Sequence, residues 1–228
     1  MHYTGTIWRP PYEADSLILE ATAGCTHRAC KFCTLYDELP FKFKASELST
    51  IESDLLEAQT WFHDPLSKIE SHLFSLPAPK HCRVFLAGAN PFALKAKRLL
   101  EIAGLIHEYF PTCKTIGCFA RVADIASKTD EELAVLREVG YTGLTIGIET
   151  GDDKALVFIW RKISLLNAHD SMRRILPMHF SILRASQGKG AASKVLGLRR
   201  RFAIKRTLLL SARICSPSIR TPSFTKKS

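Results

Sequence analysis

The chain has 228 residues, of which 46% are hydrophobic and 24% charged, as is ordinary for a globular protein. No apolar run reaches the roughly 18 residues of a membrane-spanning helix and no signal-peptide pattern opens the sequence, so we expect a cytoplasmic protein with no membrane partner. The net charge of +10 is divided unevenly: residues 1–153 hold 15 Lys and Arg against 21 Asp and Glu, a net charge of −6, whereas residues 154–228 hold 17 against one, a net charge of +16.

Short apolar runs alternate with amphipathic segments through the first two thirds of the chain. The runs predict strands at 15–22, 82–88, 113–120 and 141–149, and helices are predicted to begin near Ser46, at Pro91 and after Thr129. Thr129 and Glu132 have the spacing of a capping box. Strands that alternate with helices indicate parallel βα units, here about four of them, and therefore an α/β fold.

Three cysteines lie together in the segment GCTHRACKFC, directly after the first predicted strand. Cys25, Cys30 and Cys33 have the spacing C-x4-C-x2-C, whereas a structural zinc site usually has four ligands in two pairs. Three close thiolates suit an iron–sulfur cluster that keeps one iron open, although zinc and a fourth ligand at His27 remain alternatives. The cysteines in apolar segments are expected to be buried hydrophobic residues: Cys82, Cys113 and Cys118.

Polar residues and a glycine turn follow the other predicted strands. The second strand leads into AGANPF with Gly88 and Asn90, Arg121 follows the third, and Glu149 ends the fourth. In a parallel sheet or barrel the carboxyl ends of the strands lie on one rim, where active sites form. The sequence therefore predicts that the cysteines and these residues converge.

The cysteine segment, followed by TLYDELPFKFKASEL, resembles the cluster loop of the radical S-adenosylmethionine (SAM) superfamily. The segments YTGTIWRPPYEADSLILEAT, VFLAGANPF and LTIGIETGDD resemble a largely uncharacterised branch of Fe–S oxidoreductases within it. The likeness extends from about Tyr3 to Asp153. It departs from the commoner pattern in the four-residue first gap and in the turn Gly88–Asn90, which is more acidic in relatives.

The resemblance implies a partial parallel (β/α) barrel that binds a [4Fe–4S] cluster and SAM. Cys25, Cys30 and Cys33 would hold three irons, and the fourth iron would chelate SAM, which is cleaved after reduction to give a 5′-deoxyadenosyl radical. An electron donor such as a flavodoxin or ferredoxin is implied, with an unknown substrate. The implied SAM contacts are Phe32 near the adenine, the turn Gly88, Ala89 and Asn90 near the methionyl amino group, Glu149 near the ribose or the amino group, and Arg121 near the carboxylate.

The basic segment 157–228 lacks the strand and helix alternation of residues 1–156, which we interpret as the radical SAM core. A nucleic-acid-binding arm, a membrane-surface segment and an out-of-frame continuation after about residue 154 are the alternatives, and we expect the last. The chain would then be an incomplete enzyme whose fourth strand is an unpaired edge. The alternative function is a metal-binding or nucleic-acid-binding module that uses the three cysteines and the basic tail.

Overall fold

The fold is built on a five-stranded parallel sheet. The computed structural model describes residues 1–31, 33–64, 80–149, 153–158, 170–171, 173–175 and 179–183. In chain order its elements are β1 (Ser16–Glu20), β2 (Thr22–Gly24), β3 (Phe43–Ala45), α1 (Leu48–His63), β4 (Lys80–Ala87), α2 (Ala96–Tyr109), β5 (Thr115–Arg121), α3 (Val122–Ala126), α4 (Asp130–Glu138), β6 (Tyr141–Gly147), α5 (Asp153–Phe158) and β7 (His179–Leu183). The parallel sheet has the order β1-β4-β5-β6-β7, and β2 pairs with β3 in a separate antiparallel sheet. The predicted α/β class with a parallel sheet is confirmed.

The strand β7 pairs in parallel with β6, with Gly143 opposite His179 and Gly147 opposite Leu183. The expectation that the fourth predicted strand is an unpaired edge is therefore wrong. The short run HFSIL was missed because it has only five residues and lies in a basic segment whose composition differs from that of the earlier strands. The division into a core of residues 1–156 and a tail of residues 157–228 stays a prediction, and residues 184–228 lie outside the described part.

One face of the sheet is apolar and packs against helices. Alternate strand residues such as Leu19, Leu86 and Ile146 are buried there with side chains of α1 and α2. Cys113 and Cys118 are buried in the same core, as predicted, and burial raises the pKa of the Cys118 thiol.

The opposite face of the sheet carries polar groups and is crossed by the N-terminal segment. Glu13 is fully buried and accepts two hydrogen bonds from the Arg83 guanidinium, one of them 2.7 Å long from Nε. The Tyr12 hydroxyl contacts the Thr145 hydroxyl at 2.7 Å. Gly117 and Gly143 leave the space that the guanidinium fills. These contacts fix the N-terminal segment across β4, β5 and β6 on the face of the sheet opposite α1 and α2.

The start of α4 follows its local sequence signal, whereas α2 begins at Ala96 and not at Pro91 as predicted, because residues Pro91–Ala93 form a separate short 3₁₀ turn. The Thr129 hydroxyl accepts a 3.1 Å hydrogen bond from the Glu132 backbone NH, and the Glu132 carboxylate accepts one of 2.9 Å from the Thr129 backbone NH. The predicted capping box is thus confirmed. Within the described ranges, no helix is long and apolar enough to cross a membrane.

Candidate functional site

The three cysteines lie in a loop that leaves β2 and returns to β3. Gly24, which ends β2, has a φ of 75°, and a Cβ there would overlap the Lys42 carbonyl oxygen. The Cys25 backbone NH donates a 2.9 Å hydrogen bond to that same carbonyl. The two ends of the loop are therefore held together at the backbone, next to the first cysteine.

The cysteine side chains are partly exposed, and none of the described cysteines takes part in a disulfide. The Cys33 backbone NH donates a 3.1 Å hydrogen bond to the Cys30 carbonyl, which makes a tight turn between these two residues. In the part of the chain that the structure describes, no three His, Cys, Asp or Glu side chains form a ready metal-ligand group, and this includes His27. Three cysteine thiolates have the ligand chemistry that an iron–sulfur cluster uses. Binding of one cluster by all three would require their Sγ atoms to approach one another.

A hydrogen-bonded network joins the cysteine loop to the rim of the sheet. Thr26, next to Cys25, accepts a 2.7 Å hydrogen bond at Oγ1 from Asn90 Nδ2 and one of 3.0 Å from Arg121 Nη1. The Thr26 backbone NH lies 3.3 Å from Asn90 Oδ1, which accepts from it. Asn90, which follows β4, and Arg121, which ends β5, were both predicted from the sequence as site residues. They thus meet at Thr26, beside the first cysteine.

Asp124 completes this network from the first turn of α3. Its Oδ2 accepts a 2.8 Å hydrogen bond from the Arg121 backbone NH and one of 3.1 Å from Asn90 Nδ2. Burial raises the pKa of Asp124, and the two hydrogen bonds oppose that shift. Arg121 Nε is buried and has no hydrogen-bond partner among the described residues. An oriented donor of this kind suits an anionic ligand group.

A buried lysine supports the short turn Pro91–Ala93 that follows Asn90. Lys128 Nζ donates a 2.6 Å hydrogen bond to the Phe92 carbonyl and lies 4.5 Å from the centre of the Phe92 ring. Burial lowers the pKa of Lys128. Asn90 is therefore held from both sides, by Thr26 and through the turn that Lys128 anchors.

The turn at the end of β4 approaches the chain after β1. Gly88 has a φ of 127°, and a Cβ there would overlap both Oγ1 and the carbonyl oxygen of Thr22. Thr22 Oγ1 is buried without a hydrogen-bond partner in the described ranges. Ala89 follows and is partly exposed at the rim. A small cleft lies here, lined by Gly88 and Thr22 together with Glu20, Tyr36 and residues 5–7.

Glu149 lies just beyond β6, next to the end of β5 in the sheet order. It is 8% exposed and has a φ of 70°, which is uncommon for a residue with a side chain. The structure thus places Glu149 at the carboxyl rim as predicted from the sequence. Phe32, the predicted adenine contact, lies outside the described residues.

Several residues of the site gave no local signal in the sequence. Thr26 and Asp124 belong to the network, and Arg28 binds carbonyl groups of the cysteine loop. Tyr36 lies near the thiols: burial chiefly, and then the charges of Cys25 and Cys33, raise its pKa. These contacts join residues far apart in sequence, or loop residues without periodicity, so no pattern identified them.

The fold is that of the radical SAM enzymes. The cobalamin-dependent S-adenosylmethionine radical enzyme OxsB matches with a TM-score of 0.55 and 17% identity over 80% of this chain and 26% of its own. Methylornithine synthase (PylB) matches with a TM-score of 0.54 and 12% identity, over 82% of this chain and 50% of its own. Coproporphyrinogen III oxidase (HemN) from Escherichia coli, a radical SAM enzyme, matches with a TM-score of 0.50 and 16% identity, over 82% of this chain and 41% of its own.

The resemblance predicted from the sequence is thus confirmed at the level of the fold. The chain spans about a quarter of the OxsB chain and half of the PylB chain. No protein-family model matches the chain, and no curated protein matches it either.

Proposed function

We propose that the chain binds a [4Fe–4S] cluster and SAM and supports reductive cleavage of SAM. The observation that carries the proposal is the position of the cysteine loop, which follows β1 through the short strand β2 and is bonded through Thr26 to Asn90 and Arg121 at the carboxyl rim of a radical SAM fold. Active sites of parallel α/β sheets form at that rim. A cluster bound elsewhere on the surface would not face the strand ends where the polar residues gather.

Cys25, Cys30 and Cys33 are the proposed cluster ligands. Their thiolates supply three ligands, which leaves the fourth iron for the amino and carboxylate groups of SAM. When bound, the cluster and SAM supply one-electron chemistry in which a carbon–sulfur bond of the sulfonium breaks, yielding methionine and a 5′-deoxyadenosyl radical. The proposed function would require an electron from a low-potential donor of the flavodoxin or ferredoxin class and a substrate that would give up a hydrogen atom; the substrate stays unknown.

The predicted SAM contacts are proposed to meet different groups of SAM. The Asn90 side chain is occupied by Thr26 and Asp124, so its contact with the amino group would use the backbone of the turn that begins with Gly88 and Ala89. Arg121 keeps a buried donor at Nε, which supports its predicted contact with the SAM carboxylate. Glu149 would accept from ribose hydroxyls or the amino group, and Phe32 would pack near the adenine.

Anaerobic reconstitution with iron and sulfide tests the cluster. We expect a brown chromophore with about four irons per chain. Replacement of Cys25, Cys30 or Cys33 by Ala should abolish the chromophore. The variants Cys113→Ala and Cys118→Ala, at buried cysteines, are the matched controls and should retain it. One tightly bound zinc in place of iron would support the alternative metal-binding module and overturn the proposal.

SAM cleavage needs its own measurement. The reduced, reconstituted protein should convert SAM to methionine and 5′-deoxyadenosine, both detected by chromatography. The Cys30→Ala variant, treated in parallel, controls for cleavage by free iron. A full cluster without any SAM binding in titration would limit the function to cluster binding and contradict the second half of the proposal.

A further inference from the structure

The Arg28 guanidinium binds three backbone carbonyls on the returning side of the cysteine loop. Its Nη1 donates a 2.5 Å hydrogen bond to Phe41 O, and its Nη2 donates to Asp37 O at 3.1 Å and to Leu39 O at 3.0 Å. Arg28 lies between Cys25 and Cys30 in sequence. One side chain therefore ties the first half of the cysteine loop to the segment 37–41.

The backbone at Arg28 is also distinctive. Its φ of 42° is in the left-handed region that residues with a Cβ rarely occupy. A conformation of this kind persists where surrounding contacts hold it. The three carbonyl contacts, together with a longer ion pair of 3.9 Å between Arg28 Nε and Asp37 Oδ1, hold Arg28, while Cys25 is held by its own backbone bond to Lys42.

We propose that Arg28 is the positioning residue of the cysteine loop. It keeps the chain between Cys25 and Cys30 in a turned shape before the cluster binds, and this reduces the conformational entropy lost when the thiolates are brought together. This inference rests on the proposed cluster binding. The planar guanidinium reaches three acceptors at once, which a lysine ammonium on a flexible stem does not reproduce.

Three variants test the inference: Arg28→Lys, Arg28→Ala and the control Arg98→Ala. Arg98 is a matched control because it also donates to a backbone carbonyl, Ser46 O at 2.8 Å, and its side chain is 26% exposed against 25% for Arg28. Each reconstituted protein is exposed to an iron chelator without oxygen and its loss of iron is timed. The melting temperature of each apo protein is measured in parallel.

We expect both Arg28 variants to lose iron about tenfold faster than the parent protein, as the loss of charge-assisted hydrogen bonds predicts. Their apo melting temperatures should match that of Arg98→Ala, because a loop opens locally without global unfolding. If Arg28 contributed only to general stability, the apo melting temperatures of its variants would instead fall below that of Arg98→Ala. If Arg28→Lys keeps its iron as long as the parent protein does, the positioning role is wrong while cluster binding stands; a parent protein that assembles no cluster overturns both.

Discussion

The side-chain amide of Asn90 donates a 2.7 Å hydrogen bond to the hydroxyl of Thr26, the residue that follows Cys25. Asn90 is fully buried, and its amide also reaches Asp124 Oδ2 at 3.1 Å. The turn after β4 and the loop after β2 are thus joined by one side chain. The position of the first cysteine depends on the rim of the sheet as well as on its own loop.

Replacement of Asn90 by Ala should destabilise the protein by about 1–3 kcal/mol, because buried partners lose their hydrogen bonds. Chemical denaturation of the apo protein measures this. Gln59→Ala is the control: its amide donates one 2.8 Å bond to Tyr109 O in a partly buried position, and its loss should cost less. Equal costs for the two variants would show that the Asn90 network stabilises the fold no more than the single Gln59 hydrogen bond does.

The buried carboxyl of Asp124 predicts a pH dependence of stability. Burial raises the pKa of Asp124 in the folded state above the ordinary value of 3.8. The folded state therefore holds the proton of the Asp124 carboxyl more tightly than the unfolded chain does. The contribution of Asp124 to stability is therefore greatest below 3.8 and declines as the pH rises through the folded pKa.

The variant Asp124→Asn should remove this decline, since an amide does not titrate and its single oxygen can accept the bonds that Oδ2 accepts from Arg121 N and Asn90. Denaturation from pH 4 upward compares the two proteins. Identical slopes against pH would mean that Asp124 titrates alike in the folded and unfolded states.

Gly88 and Gly104 should respond in opposite directions to replacement by Ala. At Gly88 the φ is 127° and a Cβ would overlap backbone and side-chain oxygens of Thr22. A backbone oxygen cannot move aside cheaply, so we expect Gly88→Ala to unfold at a clearly lower denaturant concentration. Gly104, in α2, has no atom within 4 Å of an added Cβ, and Gly104→Ala should stabilise by about 0.4–1 kcal/mol.

The Glu13–Arg83 pair should be costly to break on one side. Arg83→Met leaves the fully buried Glu13 carboxylate without its partner, which costs about 3–5 kcal/mol. The double variant Arg83→Met/Glu13→Gln should recover most of this. Arg98→Met is the control, since Arg98 and Glu101 are partly exposed and lie 3.5 Å apart. The loss of this pair and of the Arg98 hydrogen bond to Ser46 O should cost less than the loss of the buried contact. A double variant no more stable than Arg83→Met would contradict the assignment.

Local patterns predicted the parts of the fold that depend on neighbouring residues. Thr129 and Glu132 encode a helix start within four residues, and the apolar runs encode four of the strands that the structure pairs in parallel. The Glu13–Arg83 pair is separated by 70 positions in the sequence, and a bond of this kind leaves no periodic signal. The three cysteines were visible because they lie within nine residues of one another in the sequence, whereas Thr26 and Arg28 became part of the candidate site through contacts that tertiary packing creates.

Glu149 offers a test that separates backbone strain from ligand contact. Its φ of 70° is costly for any residue with a Cβ and nearly free for glycine. Glu149→Ala and Glu149→Gly both remove the carboxylate, so the difference between them reports the backbone alone. We expect Glu149→Gly to be the more stable of the two by about 1 kcal/mol in chemical denaturation. If the carboxylate contacts SAM as proposed, both variants should assemble the cluster and bind SAM more weakly to a similar extent in titration. If the two variants differ in stability but bind SAM as tightly as the parent protein does, the backbone at Glu149 is strained and its carboxylate does not contact SAM.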